Sequence, residues 1–549
     1  MTGQDVTGDA RERARRWIDE DPDPASRDEL RALLDDPEAN AGELADRMAG
    51  MPAFGTAGMR APVRAGANGM NRAVVTRTTA GVAEWLRENG RGGGIAVVGR
   101  DARHGSEDFA GDVAGVLAAA GFDVRVLPEP LPTPVLAHAT RALGAVAGVQ
   151  ITASHNPPQD NGYKLYLDGG VQIVSPTDGG IEERIGRTGP ANSVPRRDSW
   201  TVLDGALEDY LRRVTSLPAG TARDLRVAAT ALHGVGAEPL RKALERAGFT
   251  DVHFVPEQRE PDPDFPTARF PNPEEPGATD RVLELADEIS ADLAVALDPD
   301  ADRCAVGVLD AGAWRMLTGD ETGVLLGDHV LSALDRQEHP NPLVATTLVS
   351  STMLRSLAAH RGVRFDETLT GFKWLVRAGD GAGTGLVYAY EEALGHCVDP
   401  EHVRDKDGIS AAVLACDMAA TAAATGSGLT ARLDELSTVH GVHRTGQVSV
   451  RVTELGVIPE TMRALRAQPP GELAGSAVTT DDLLPDTDAL LLTGDGLRVV
   501  VRPSGTEPKL KCYLEVVEDP ADGLDAAGQR ASARLGELRA AVSDLVRSR

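Results

Sequence analysis

The sequence predicts an α/β protein: three related α/β domains with mixed sheets, a C-terminal α+β domain, and a helical extension at the N-terminus. The first observation behind this is a unit that recurs after residue 50. An apolar strand (IAVVG, LRVAAT, LVATTL) is followed by a helix, a glycine and a second strand. The helix–glycine–strand passages read VAGVLAAAGFDVRVL, RKALERAGFTDVHFV and RSLAAHRGVRFDE, with Gly121, Gly248 and Gly362 at the junctions. Glycine there supplies the left-handed cap that ends a helix, and the β-rich residues after it read as a strand. Strand–helix–strand three times over implies three domains of one plan. The second observation is the tail, where QVSVRV, LRVVVRP and KCYLEVVE alternate or run apolar and a closing helix spans roughly 525–547. The third is length: 549 residues leave room for about three to five domains.

In chain order, residues 1–50 form the helical preface. Trp17 and Ile18 close one short helix, DPDP breaks it, and Ser26 with Glu29 three residues later opens a second as a capping box. GELADRMAG is a third segment, and helices this short need the body of the protein to pack against. The domains then fall at 51–205, 206–317, 318–440 and 441–549. PEQREPDPDFPTARFPNPEEPGA, residues 256–278, is a long loop inside the second of them, and loops of that length are uncommon unless functional or disordered.

Composition excludes several classes. The formal charge of −27 argues against nucleic-acid and anionic-membrane partners, which need a basic face. No apolar run approaches the roughly 20 residues of a spanning helix, and the polar start MTGQDVTGDARERARRW is not a secretory signal. The four cysteines (Cys304, Cys397, Cys416, Cys512) lie far apart and read as reduced thiols of a cytoplasmic protein.

Six stretches carry chemistry. In ITASHNPPQDNGYKLY, Ser154 ends an apolar run, followed by His155 and, after two prolines, by Lys164. It is either a turn residue or a nucleophile on a rigid stalk. In ADLAVALDPDADRCAVGVLD, Asp298, Asp300 and Asp302 alternate after an apolar strand, with Arg303 next. Three carboxylates in one tight loop repel one another unless a cation sits among them, and hard oxygen donors suit Mg²⁺ or Ca²⁺. An EF-hand fails, because Arg303 stands where that loop needs glycine and Leu309 where it needs glutamate. VRPSGTEPKLKCYLE places Arg502, Ser504, Gly505 and Thr506 between two strands, a combination that cradles phosphate or simply turns the chain. YAYEEALGHCVDPEHVRDKDGIS either offers Glu391 and Glu392 for sugar hydroxyls and Arg404 and Lys406 for a phosphate, or is surface charge. FGTAGMRAP, with Arg60, and GRDAR, Gly99 to Arg103, are weak signals by themselves.

TASHNP, DPDADR, the Glu-rich loop and RPSGTEP, in that order, resemble the four signature motifs of the α-D-phosphohexomutases over roughly residues 50–520. FGTAGMR, TGFKW, EEALG and the helical preface resemble the type-2 phosphoglucomutase and phosphopentomutase branch most. The resemblance implies four domains around one central cleft. It implies that Ser154 is a phosphoserine exchanging its phosphoryl group with a sugar phosphate through a bisphosphate intermediate. One Mg²⁺ per chain would be held by Asp298, Asp300, Asp302 and Ser154, and a sugar 1,6-bisphosphate would act as activator. Arg60, Arg303, His155 and Lys164 would face the reacting group, Lys164 with a lowered pKa as acid or base. Arg502, Ser504, Gly505 and Thr506, helped by Lys406 and Arg404, would hold the distal phosphate. Glu391 and the Thr370–Gly371 turn would read the sugar. The implied partners are small sugar phosphates, with the chain a monomer or homodimer. Ala393 stands where better-known branches carry a serine, which leaves glucose, mannose or pentose phosphates, or bisphosphate formation, as substrate classes. A metal-assisted phosphomonoesterase and an inactive sugar-phosphate sensor are the competing readings.

Overall fold

The structure is a computed structural model that describes residues 3–55, 58–451, 456–504 and 509–547, with side chains from residue 9 onward. The chain forms two compact units. One holds Met1–Met316 and Gly395–Asp417, the other Leu317–Leu394 and Met418–Arg549.

In the first unit, seven strands build one sheet: β1 (Met59–Pro62), β2 (Ile95–Arg100), β3 (Asp123–Val126), β4 (Ala147–Ile151), β5 (Asp160–Leu167), β6 (Val171–Gln172) and β7 (Thr201–Val202). The order is β1–β5–β4–β2–β3–β7, with β6 beside β5. β2 pairs in parallel with β3 and β4, whereas β5 returns antiparallel to β4. The second sheet repeats the plan with β8 (Arg226–Thr230), β9 (Asp251–Phe254), β10 (Leu293–Leu297), β11 (Cys304–Asp310) and β12 (Ala313–Met316), ordered β12–β11–β10–β8–β9. β8 is parallel to β9 and β10, and β11 returns antiparallel to β10. All five residues of β4 and all five of β10 are buried, which is why both read as unbroken apolar runs.

The second unit holds the third repeat, β13 (Leu343–Thr347), β14 (Arg364–Thr368) and β15 (Leu386–Glu391), parallel in the order β14–β13–β15. β16 (Gly395–Cys397) belongs to the first unit. The tail is an antiparallel sheet of β17 (Val442–Arg451), β18 (Glu472–Leu473), β19 (Ser476–Asp482), β20 (Leu490–Gly494), β21 (Leu497–Pro503) and β22 (Lys509–Glu518), ordered β17–β22–β21–β20–β19–β18. The closing helix Leu524–Arg547 buries Ala527, Ala531, Leu538 and Val542 in the core of this sheet.

The three expected helix–strand junctions are present. Gly121, Gly248 and Gly362 have φ of 90°, 96° and 61°, a conformation glycine adopts without steric cost. The preface packs on the body: Ala14, Trp17, Leu30 and Leu44 share one core with Val98 and Tyr163. Burying a leucine such as Leu30 is worth roughly 1.5–3 kcal/mol.

Two details of the preface differ from expectation. The first helix runs to Glu20. The second, Pro24–Asp35, is capped by Asp23, whose carboxylate accepts from the Ala25 N–H, and no Ser26 capping box forms. Proline suits the first helical position because its missing N–H needs no partner there. Ser26 therefore falls inside the helix, and Glu29 accepts instead from Arg47 and the Ala65 N–H. All four cysteines are buried and unpaired. No single described helix is long and apolar enough to cross a membrane.

Helix Gly408–Ala424 starts at a buried acid. The Asp407 carboxylate accepts from the Ile409 and Ser410 N–H groups and from the Tyr210 hydroxyl at 2.7 Å. Burial raises its pKa to about 6 against the hydrogen bonds that lower it. A raised folded-state pKa contributes stability that is whole below the unfolded value near 4 and is lost as pH rises through about 6. The melting temperature of Asp407→Asn should therefore gain on wild type as pH is raised from 4.5 to 7.5; a constant difference across that range contradicts the assignment.

Candidate active site

Ser154 and the three aspartates sit on the same kind of loop. The stretch between β4 and β5 carries Ser154, and that between β10 and β11 carries Asp298, Asp300 and Asp302. Each follows a buried parallel strand and turns sharply into an antiparallel one. Each turn contains a non-glycine residue in the left-handed region, Ser154 at φ 53° and Ala301 at φ 54°, a costly conformation that is concentrated at functional sites.

The two loops meet. Ser154 Oγ, on a residue 1% exposed, donates to Asp298 Oδ2 at 2.8 Å. Its other neighbour is His155 Nδ1 at 3.2 Å. Burial, then the charges of Arg303 and Arg60, push the His155 pKa well below the usual value, so the ring is neutral. Arg60 reaches from β1 and donates to Asn156 Oδ1 at 2.8 Å. The Arg303 N–H donates to Asp298 Oδ1 at 3.0 Å, and its side chain reaches Glu274 at 3.3 Å.

All three aspartates are fully buried, and the charges of Asp300 and Asp302 are met by lysines. Lys164, projecting from β5, donates to Asp300 Oδ2 and Asp302 Oδ2, both at 2.6 Å. Lys406 Nζ lies 3.3 Å from Asp302 Oδ2. Burial alone would raise the Asp300 and Asp302 pKa values, but Lys164, with Lys406 and Arg303 at Asp302, outweighs it and holds both below the usual range. Asp298 is held well above that range by burial and by its two acidic neighbours. The lowered pKa expected for Lys164 is not found. Burial works in that direction, but Asp300 and Asp302 outweigh it, and the group is held above its usual value as an ammonium.

A divalent cation fits this loop. One carboxylate oxygen from each aspartate lies within 4.8 Å of the others. Asp300 Oδ1 and Asp302 Oδ1 are buried with no hydrogen-bond partner, the condition a hard cation relieves.

The remaining candidates divide between the units. Lys406 and half-buried Arg404 lie in Gly395–Asp417 and belong to the first unit. The Lys406 ammonium faces Asp302 on the carboxylate loop. Thr370, Gly371, Glu391, Arg502 and Ser504 belong to the second unit. Gly371 has φ 108° and precedes helix Phe372–Leu375, Glu391 ends β15, and the Ser504 N–H donates to the Lys509 carbonyl across the β21–β22 turn. Gly505 and Thr506 lie outside the described residues.

Three residues escaped the sequence reading. Arg103, in the weakly marked GRDAR, donates to four backbone carbonyls around Ser154. Thr133 Oγ1 donates to Asp300 Oδ2 at 2.5 Å. Asp405 accepts from Tyr166 and Gln172 at 2.6 and 2.7 Å and so fixes the segment carrying Lys406. Only the GRDAR and RDKDG runs of charge signalled two of them, and nothing local signals Thr133.

A buried serine held against a carboxylate loop that could hold a cation, on repeated α/β domains, is the arrangement of an enzyme that moves a phosphoryl group. Domains I, II and III of the phosphoglucomutase/phosphomannomutase family match residues 51–191, 208–311 and 318–437, and its C-terminal domain matches 472–527. The chain belongs to that family, whose members are phosphosugar mutases. It is 43% identical over 467 residues to a Haemophilus influenzae protein assigned as a phosphomannomutase, covering 83% of this chain and 94% of that one. It is 33% identical over 569 residues to the mouse phosphopentomutase, covering 92% and 90%. A crystal structure of a Thermus thermophilus protein assigned as a phosphomannomutase superposes with a TM-score of 0.69 at 26% identity, covering 90% of this chain and 99% of that one.

If Lys164 is the counter-ion of the loop, EDTA should lower the wild-type melting temperature only slightly. Lys164→Met should make folding depend on added Mg²⁺. The gap between its EDTA and Mg²⁺ melting temperatures should exceed the wild-type gap by about 5 °C or more, given the roughly 3–5 kcal/mol cost of leaving a buried charge unpaired. Equal gaps contradict the role.

Proposed function

We propose that the chain interconverts the 1- and 6-phosphates of a hexose, glucose or mannose, through a phosphoserine at Ser154 and a sugar 1,6-bisphosphate. The observation that carries this is Ser154 Oγ, buried on a left-handed turn and 2.8 Å from Asp298. In the first half-cycle the phosphoserine O–P bond breaks and an O–P bond to the sugar hydroxyl forms, the hydroxyl losing its proton. In the second, Ser154 takes the other phosphate of the bisphosphate. In the first half-cycle His155, neutral and 3.2 Å from Ser154 Oγ, takes the proton of the attacking sugar hydroxyl, and Lys164, an ammonium here, gives one to Ser154 Oγ as that oxygen loses phosphorus. In the second, Lys164 takes the serine proton back and His155 returns its proton to the sugar oxygen, so both groups end as they began. Arg60 and Arg303 supply fixed positive charge to the phosphoryl oxygens. Bound at Asp298, Asp300 and Asp302, with Ser154 as the fourth ligand, one Mg²⁺ would neutralise phosphoryl charge.

In the second unit, Glu391 and the Thr370–Gly371 turn are the proposed readers of sugar hydroxyls. Arg502 and Ser504, with Gly505 and Thr506, are the proposed grip on the distal phosphate, and Arg404 is proposed as a further phosphate ligand. Lys406, beside Asp302, fits the reacting end better.

A pentose 1-/5-phosphate is the second reading. Ala393 favours it, because the missing hydroxyl removes one hydrogen bond to the sugar, and the likeness to the mouse phosphopentomutase supports it.

The test is a coupled isomerisation assay with Mg²⁺ and a trace of glucose 1,6-bisphosphate, run on glucose, mannose and ribose 1-phosphates. A tenfold lead in kcat/KM for either hexose, about 1.4 kcal/mol of transition-state preference, supports the first reading, and a lead for ribose the second. Phosphate release without isomerisation would make the enzyme a phosphomonoesterase. Intact mass should show about 80 Da on Ser154, and Ser154→Ala should bind sugar phosphate without turning it over. Arg502→Ala should raise KM at least about tenfold, by losing charge-assisted hydrogen bonds to phosphate; an unchanged KM removes Arg502 from the grip.

A further inference from the structure

We infer that the long 256–278 loop is a strap that positions the Ser154 turn, and that Phe265 does this by holding Arg103 in place. Arg103 is 4% exposed. Its guanidinium donates to the carbonyls of Ser154 and Asn156 at 2.6 Å, Pro157 at 2.9 Å and Asp160 at 3.1 Å. One planar fork thus gathers the whole turn from Ser154 to the start of β5. These bonds all go to main-chain oxygens, so Arg103 acts through the backbone as a positioning residue.

What fixes Arg103 comes from two sides. Asp101 accepts from its N–H at 3.0 Å and lies 3.4 Å from its Nε. The Phe265 ring covers the guanidinium at 4.8 Å, within cation–π range. Phe265 is 3% exposed and has φ 45°, a left-handed backbone that an aromatic residue takes only under constraint. The strap supplies the constraint. Gln258 accepts from Thr230 at 2.7 Å and donates to Thr267 at 2.8 Å, and His233 Nε2 is 2.7 Å from the same Thr267 hydroxyl. The Asp262 N–H donates to the His233 carbonyl, and Asp264 pairs with His104. Further along, Glu274 reaches Arg303 at 3.3 Å. One loop of the second repeat therefore touches an arginine behind the serine turn and an arginine beside the carboxylates. Its kinetic consequence rests on the reading of Ser154 as phosphoryl acceptor, whereas its structural consequence rests on geometry alone.

The experiment compares the full-length wild type with Phe265→Leu, which keeps apolar bulk without a π face, and Phe265→Tyr, which restores the ring. The first readout is amide exchange over residues 152–162. It should be about tenfold faster in the leucine variant and at the wild-type rate in the tyrosine variant. The second is the rate at which glucose 1,6-bisphosphate phosphorylates Ser154, read by quench and intact mass. It should fall about tenfold or more in the leucine variant, the cost of a misplaced nucleophile, with the half-saturating bisphosphate concentration within about twofold of wild type. Unchanged exchange in Phe265→Leu overturns the proposal, as does an equal effect of Phe265→Tyr. Should Phe265→Leu fail to fold, Arg103→Lys keeps the charge but loses the fork, and the same two outcomes decide. A wild type that accepts no phosphoryl group would refute the reading of Ser154, and the exchange comparison would still decide the strap.

Discussion

Three carboxylates buried in one loop are the constraint on which the first unit depends. Asp298, Asp300 and Asp302 are each 0% exposed, and burying like charges together is unfavourable unless every one is compensated. The compensation comes from three places in the sequence. Lys164 arrives from β5, Lys406 from the segment after β16, and Arg303 from the loop itself. Glycine makes the approach of the Lys406 segment possible. A Cβ on Gly408 would lie 2.4 Å from the Arg303 carbonyl oxygen, so the segment that brings Lys406 could not sit against the loop with any larger residue there. Asp298 gains least from the lysines, and its raised pKa is the cost. It is also the carboxylate that takes the Ser154 hydrogen bond.

The sequence made the elements legible where chemistry is local. Apolar runs fixed β4 and β10, and the glycine after each repeat helix marked its end, because a left-handed cap is decided by one residue. TASHNP and DPDADR were legible as turns that end apolar strands and carry a serine and three alternating carboxylates, because strand ends and turn residues are local signals. Long-range contacts were not. Nothing near Ser26 says that Glu29 is wanted by Arg47 and Ala65, so a sound local capping pattern gave way to Asp23 and Pro24. The contact of Lys406 with Asp302 was not legible, because the sequence does not reveal that Asp405 is tied to Tyr166 and Gln172. The Lys164 pKa was misjudged in sign for the same reason: burial is visible in an apolar strand, but two facing carboxylates are not.

The repeats explain how one fold supplies three loops with different side chains. In each, the chain runs strand, helix, strand, helix, and then a third strand beside the first. The loops of interest leave the ends of β4, β10 and β15, the third strand of each repeat. Each has a non-glycine residue in the left-handed region: Ser154, Ala301 and Leu394. The backbone there bends against its preference, and fully or largely buried strands on either side in the first two repeats can bear that cost. Turn geometry is thus common to the three, while side chains are free to differ: a serine in the first, alternating aspartates in the second, Glu391 and Glu392 in the third. In the first repeat the bent residue is Ser154 itself, so the strain that makes the turn also sets where Oγ points. That coupling is why the carbonyls around Ser154 need a dedicated arginine, whereas the aspartate loop, whose bent residue is the inert Ala301, is held by the charges of its own side chains.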